Sequence, residues 1–191
     1  MSLEIVRSIR GAFGDSRRKQ ADKLLHSLND VLRSRGLPEF KDSDPDESSL
    51  RRLPCGSAGS GTFHALNQLA VNSNLAWSLS RHRTEYWIAL PIRFDEPFSI
   101  QLGRLLLILP YYQEFQSLPV IHSEIIALAK CLAIPLQDGL LSDEHAARII
   151  DCESLADSEP AGFMENERGL WLDLYQASRY CMEDATPLVV A

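Results

Sequence analysis

An apolar stripe near the N-terminus restricts the fold more than any other feature. Ala21, Leu24, Leu25, Leu28, Val31 and Leu32 recur at steps of three and four, the spacing that sets side chains on one face of an α-helix. Gly14-Asp15-Ser16 precedes the stripe, with Asp15 or Ser16 positioned to accept from the first free N–H groups. Gly36 follows as a left-handed C′ residue, and Pro38 confirms the stop. The pattern predicts an amphipathic helix of about 20 residues. Its apolar face needs a second layer to cover it. Leu3 to Ile9 predicts a short preceding helix.

Strands supply that layer. EYWIALPIRF (85–94) is aromatic and partly β-branched, and Pro91 within it places the strand at an edge or a bulge. GRLLLILP predicts a second strand at 103–109, although periodicity alone leaves a short helix open. TPLVVA reads as a last strand. Helices lie between. One opens from the glycine-rich turn PCGSAGSGT and runs through Phe63, Leu66, Leu69 and Ala70 toward Trp77. PVIHSEIIALAKCLAIP predicts a short β piece turning into a helix, with His122 or Ser123 near the cap and Pro135 at the end. Its buried stripe is Ile125, Ile126, Leu128, Ala129 and Leu132. Ser142 caps DEHAARIID. A final helix covers 165–182, with Leu170, Trp171, Leu174, Tyr175 and Ala177 or Ser178 inward. The polar stretch KDSDPDESS predicts an exposed loop over about 41–60. Helices and strands interspersed without a regular βαβ repeat indicate the α+β class. The expectation is one globular domain over 1–191, about five helices with a small mixed or antiparallel sheet.

The pieces LLHSLNDVLRSRGLPEF, WIALPIRF, SEIIALAKCLAIPL and GLWLDLYQASRYCMEDATPLVV, about half of the chain, resemble a family of bacterial cytosolic α+β proteins with no assigned activity. The resemblance implies the α+β fold and a cytoplasmic setting, and transfers no functional residue. By analogy of context it also points toward immunity or interaction proteins.

The formal charge is −7, unevenly spread. Residues 1–36 carry a net +4, whereas 137–184 hold three Lys/Arg and twelve Asp/Glu, a net −9. Phosphate neutralisation needs Lys and Arg, so this layout speaks against nucleic acid as the partner. Arg17, Arg18, Lys19 and Lys23 read as a solvated helix face. An acidic surface instead steers a basic protein. Glu4, Arg7 and Arg10 interrupt any secretory apolar stretch. The run Leu105–Leu109 falls far short of the roughly 20 residues of a spanning helix. No membrane association is expected, and a cytoplasmic location is. The cysteines at 55, 131, 152 and 181 form no C-x-x-C pair, as for reduced thiols.

No catalytic, metal or cofactor set is predicted. The glycine-rich turn 56–61 could hold an anion at a helix N-terminus, but Thr62 stands where a phosphate loop needs Lys. Cys55-Gly56-Ser57 is faintly similar to the nucleophile loop of papain-like proteases, yet the reacting position is Ala58. His122 with Glu124, and His145 with Asp143 or Glu144, could share a metal only if the fold gathered them. Glu165, Glu167, Asp173, Glu183 and Asp184 read as a solvated face of the last helix. Tyr111, Tyr112 and Phe115 follow a predicted strand, where a loop would expose them as interface anchors. The leading functional reading is therefore a protein-binding, immunity- or inhibitor-like module. It meets a basic partner through Tyr111, Tyr112, Phe115, Asp143, Glu144, Glu165 and Glu167. The alternative is an unrecognised enzyme or an anion-binding domain using turn 56–61.

Overall fold

The predicted stripe forms α2 (Arg18–Ser34), with Ala21, Leu24, Leu25, Leu28 and Leu32 buried. A 3-10 turn, Asp15–Arg17, precedes it. Neither Asp15 nor Ser16 caps α2: Arg17 occupies the N-cap without a side-chain bond. Gly36 has φ +69°. It closes the helix in a Schellman motif, with Leu37 N–H to Leu32 C=O at 2.9 Å and Gly36 N–H to Arg33 C=O at 3.1 Å. The computed structural model describes residues 5–42, 49–50, 60–75, 77–78, 87–105, 109–156 and 162–190.

These residues contain six α-helices and a six-stranded mixed sheet, an α+β fold. Besides α2 the helices are α1 (Ile9–Phe13), α3 (Ser60–Asn72), α4 (Leu118–Ala129), α5 (Asp143–Ile150) and α6 (Glu165–Glu183). The strands are β1 (Ile5–Val6), β2 (Ser49–Leu50), β3 (Trp87–Leu90), β4 (Phe98–Leu105), β5 (Leu109–Ser117) and β6 (Leu188–Val190). Their order is β2-β1-β6-β3-β5-β4. β3 and β5 are parallel, with Ile88 beside Phe115, and every other pair is antiparallel. The chain divides into two compact units. One holds the whole sheet with α1, α2, the start of α4 and the end of α6. The other, from Ile121 to Arg179 together with α3, contains only helices among its described elements.

In the sheet unit, Val6, Ile88, Leu90, Phe98, Ile100, Phe115 and Val189 share one cluster with the α2 stripe, Ile9, Phe13 and Phe40. Each such side chain taken from water stabilises by about 2 kcal/mol. The alternate positions Ile5, Trp87, Ala89, Leu188 and Val190 are buried too. Strands buried on both sides read as continuous apolar runs, which is why WIAL and LVV are legible.

Several expectations are corrected. The short helix expected over 3–9 is absent from its described part: Ile5–Val6 is a strand, and α1 begins only after the Ser8 N-cap, while residues 3 and 4 lie outside the described residues. Pro91 lies just past β3, a central strand, and marks its end rather than an edge. The strand expected at 103–109 is divided between β4 and β5. PYYQEF is strand rather than loop, and PVI belongs to α4 rather than to a β piece. His122 and Ser123 are therefore inside the helix, not at its cap. Trp77 lies beyond the end of α3.

The loop expected at 41–60 is also different where it is described. The Asp42 side chain is fully buried. Its Oδ1 accepts from Ile9 N–H at 2.9 Å, and its Oδ2 accepts from Arg10 N–H at 2.9 Å and from the Ser8 hydroxyl at 3.0 Å. A carboxylate thus satisfies two of the orphan donors of α1, the nearer from 32 residues away in sequence. Asn29 brackets Phe40, donating to its C=O and accepting from its N–H. Residues 43–48 and 51–59 lie outside the described residues. Replacing Asp42 by Ala leaves buried N–H groups without an acceptor. It should cost about 2–3 kcal/mol in urea unfolding, with Asp42→Asn intermediate.

Candidate functional site

Around α5 the helical unit holds its arginines against protein groups and leaves five carboxylates exposed. Arg168 is buried, and its Nε donates to Leu132 C=O at 2.9 Å. Arg179 lies 5.8 Å from the Tyr175 ring centroid. Arg148 donates to the Ser154 carbonyl. Asp138, Asp143, Glu144, Asp151 and Glu153 are exposed. Of these five, Glu153 alone meets a cation among the described residues, Arg148 at 3.9 Å.

α6 positions this acidic strip. Trp171 and Tyr175, both buried, stack at 4.9 Å, and Trp171 donates to Ile125 C=O at 2.7 Å. The Tyr175 hydroxyl donates to Gly139 C=O at 3.2 Å and accepts from Leu141 N–H at 3.1 Å. Those bonds fix a two-residue turn. Gln137 and Leu140 exchange backbone bonds at 2.9 Å, while Asp138 and Gly139 have φ of +52° and +78°. Asp-Gly suits this left-handed pair because glycine carries no Cβ penalty. Ser142 then caps α5, accepting from His145 N–H at 3.2 Å. Asp143 and Glu144 fall in the first turn, where carboxylates complement the helix dipole. The far end closes through Cys152, at φ +55°, and leaves Asp151 and Glu153 in solvent.

The predicted site residues are therefore divided. Asp143 and Glu144 belong to this strip. Glu165 and Glu167, in the first turn of α6, are half-buried. Tyr112 is exposed on β5, whereas Phe115 is fully buried in the sheet unit's core and offers no surface. Tyr111 pairs in register with Gly103, and its side chain lies outside the described residues. Asp138, Asp151 and Glu153 were not singled out in the sequence. Their signal is adjacency to the turn and helix end that hold them out. Asp173, read as solvated, is buried.

The chemical candidates resolve differently. His122 Nδ1 lies 2.9 Å from Ser178 Oγ, whose hydroxyl donates to Tyr175 C=O at 2.9 Å. Ser178 Oγ then accepts from Nδ1–H, and this fully buried hydroxyl ties α4 to α6. Glu124 holds the Ser78 N–H and hydroxyl at 2.8 and 2.7 Å rather than joining His122. His145 Nδ1 meets Ser142 Oγ at 2.8 Å. No group of three or more metal-ligating side chains occurs among the described residues. His64 is exposed on α3. Cys55 and glycines 56 and 59 lie outside the described residues, while Gly61 is in α3. No described helix is long and apolar enough to cross a membrane. Comparison with family models, curated proteins and solved structures gives no match.

Burial, and secondarily Arg179, lowers the His122 pKa from its usual 6.5. The unfolded chain then takes up this proton more readily than the folded one. The stability that neutral His122 contributes is present above about pH 6.5 and is lost as pH falls toward the depressed value. His122→Asn, which keeps a donor for Ser178, should flatten thermal stability against pH in that window. Burial also pushes the Cys181 thiol up to about 11, leaving it protonated and slow to react. Alkylation followed by mass spectrometry should label exposed Cys152 well before Cys181 in the folded protein.

Proposed function

We propose that this chain is a protein-binding module that meets a basic partner through the acidic strip running from Asp138 to Glu153. The carrying observation is the segregation of charge. The three arginines of residues 137–184 meet Leu132, Ser154 and Tyr175, and the carboxylates around α5 stand in solvent. Unneutralised charge of one sign on a rigid helix raises the encounter rate of an opposite surface more than it deepens affinity. Desolvation costs are small for rim carboxylates, so an acidic face suits recognition with fast association. An inhibitor or immunity role is the specific form of this reading: a basic active surface would be covered by carboxylates held at fixed positions. The free thiols at Cys131, Cys152 and Cys181 accord with work in a reducing cytoplasm.

The test combines affinity capture at physiological salt with kinetics on the captured partner. Asp143→Lys, Glu144→Lys, Asp151→Lys and Glu153→Lys together should slow association by about tenfold or more, with a smaller change in dissociation. Raising ionic strength should slow the wild-type association in the same way. No specific partner, or one whose association is indifferent to both changes, sinks the proposal.

A further inference from the structure

Charge sets how fast two surfaces meet, but a desolvated apolar anchor is what holds them together. Five large apolar side chains stand exposed among the described residues: Val71, Tyr112, Leu140, Ile150 and Tyr180. Such residues scattered singly are ordinary, and Val71, Tyr112 and Tyr180 sit on three separate elements. Leu140 and Ile150 both fall inside the acidic strip, 56% and 39% exposed.

α5 arranges these groups. Successive residues turn by about 100° around its axis. Ile149 is buried and marks the inward side. On the outward side Ala147 lies in the middle, with Asp143 and Ile150 along one flank and Glu144 and Asp151 along the other. All five are exposed. Carboxylates close both ends of this face, Asp143 and Glu144 in the first turn and Asp151 at the C-cap. Between them Ala147 and Ile150 are one turn apart, and the small Ala147 lets a neighbouring backbone approach. Leu140 stands two residues before the Ser142 cap.

We propose that the outward face of α5 receives a basic amphipathic helix of the partner, its apolar stripe on Ala147, Ile150 and Leu140 and its lysines or arginines on the carboxylates at the two ends. The inference rests on the acidic-strip reading and names the form of the basic partner. Charge complementarity selects a basic occupant. The architecture of α5 selects its conformation. A helix face presents side chains and no open strand edge, so an extended partner finds no backbone to pair with. A second helix instead seats its ridges in the side-chain grooves of the first. Lysine and arginine stems add apolar cover while their charged heads stay in water beside the carboxylates. The eight residues of α5 span ~12 Å, about two turns of such a partner.

Fluorescence anisotropy on the full chain tests this with two labelled peptides of identical lysine and leucine content, roughly 18 residues each, long enough to form a helix on binding. In one the leucines recur at steps of three and four; in the other their order is scrambled. At physiological salt the periodic peptide should bind at least about tenfold tighter than the scramble. Ile150→Gln and Ala147→Gln leave the charge unchanged. Each should weaken the periodic peptide by about fivefold or more and leave the scramble unmoved, with the circular dichroism of wild type. Asp143→Lys, Glu144→Lys, Asp151→Lys and Glu153→Lys together should weaken both peptides. Equal affinity for the two peptides, or periodic-peptide binding that either Gln variant leaves unmoved, overturns the amphipathic helix and leaves the acidic strip in place. Periodic-peptide binding that survives the four lysine changes overturns both readings. Absence of binding by either peptide overturns the inference as well.

Discussion

One phenol organises the acidic face. Tyr175 is buried in α6, yet its hydroxyl reaches two backbone groups of the turn at 139–141. That turn determines where α5 begins, and α5 carries Asp143 and Glu144 with Asp151 at its C-cap. Surface carboxylates usually wander on mobile loops. Here they stand on a capped helix whose entry is bonded to the buried Trp171–Tyr175 stack. Placement of exposed charge by a buried group is what lets an electrostatic surface have a shape as well as a sign.

The same economy runs through the arginines. Arg35 lies over the Phe98 ring at 4.7 Å, and Arg168 over Phe163 at 5.2 Å. Guanidinium groups tolerate such contacts because they are planar and weakly hydrated. Arginine thus acts partly as a packing residue in this fold. Formal charge read along the chain consequently understates the acidity of the helical unit's surface.

Legibility in the sequence followed the number of signals at each position. α2 was readable in its stripe but not at its start, where Arg17 rather than Asp15 or Ser16 is the N-cap. Its C-terminal end was readable because Gly36 takes the left-handed conformation it advertises. Helices α3, α5 and α6, and the 3-10 turn that extends α4, use Asn74, Cys152, Ala185 and Ala133 for the same job. Alanine and cysteine carry no such advertisement, and a left-handed alanine costs about 1–2 kcal/mol. β4 and β5 were misread because one uninterrupted apolar run holds both the end of β4 at Leu105 and the start of β5 at Leu109. Asp42 was misread because composition marks KDSDPDESS as polar, while its partners, Ser8, Ile9 and Arg10, lie far upstream. The acidic segment was visible as charge. The turn and caps that give it form depend on Tyr175, which read only as one more core aromatic.

The place of β6 has a consequence for how the chain is made. It lies between β1 and β3 and yet follows every other strand in chain order. Until residues 188–190 emerge from the ribosome, the sheet exists as two fragments, β2-β1 and β3-β5-β4, with the edges of β1 and β3 unmatched. Synthesis proceeds at about 5–20 residues per second, so those edges wait for seconds beside a nascent chain rich in valine, isoleucine and leucine. Completion of this sheet therefore waits for Leu188, and chaperone protection matters most in the interval before it arrives.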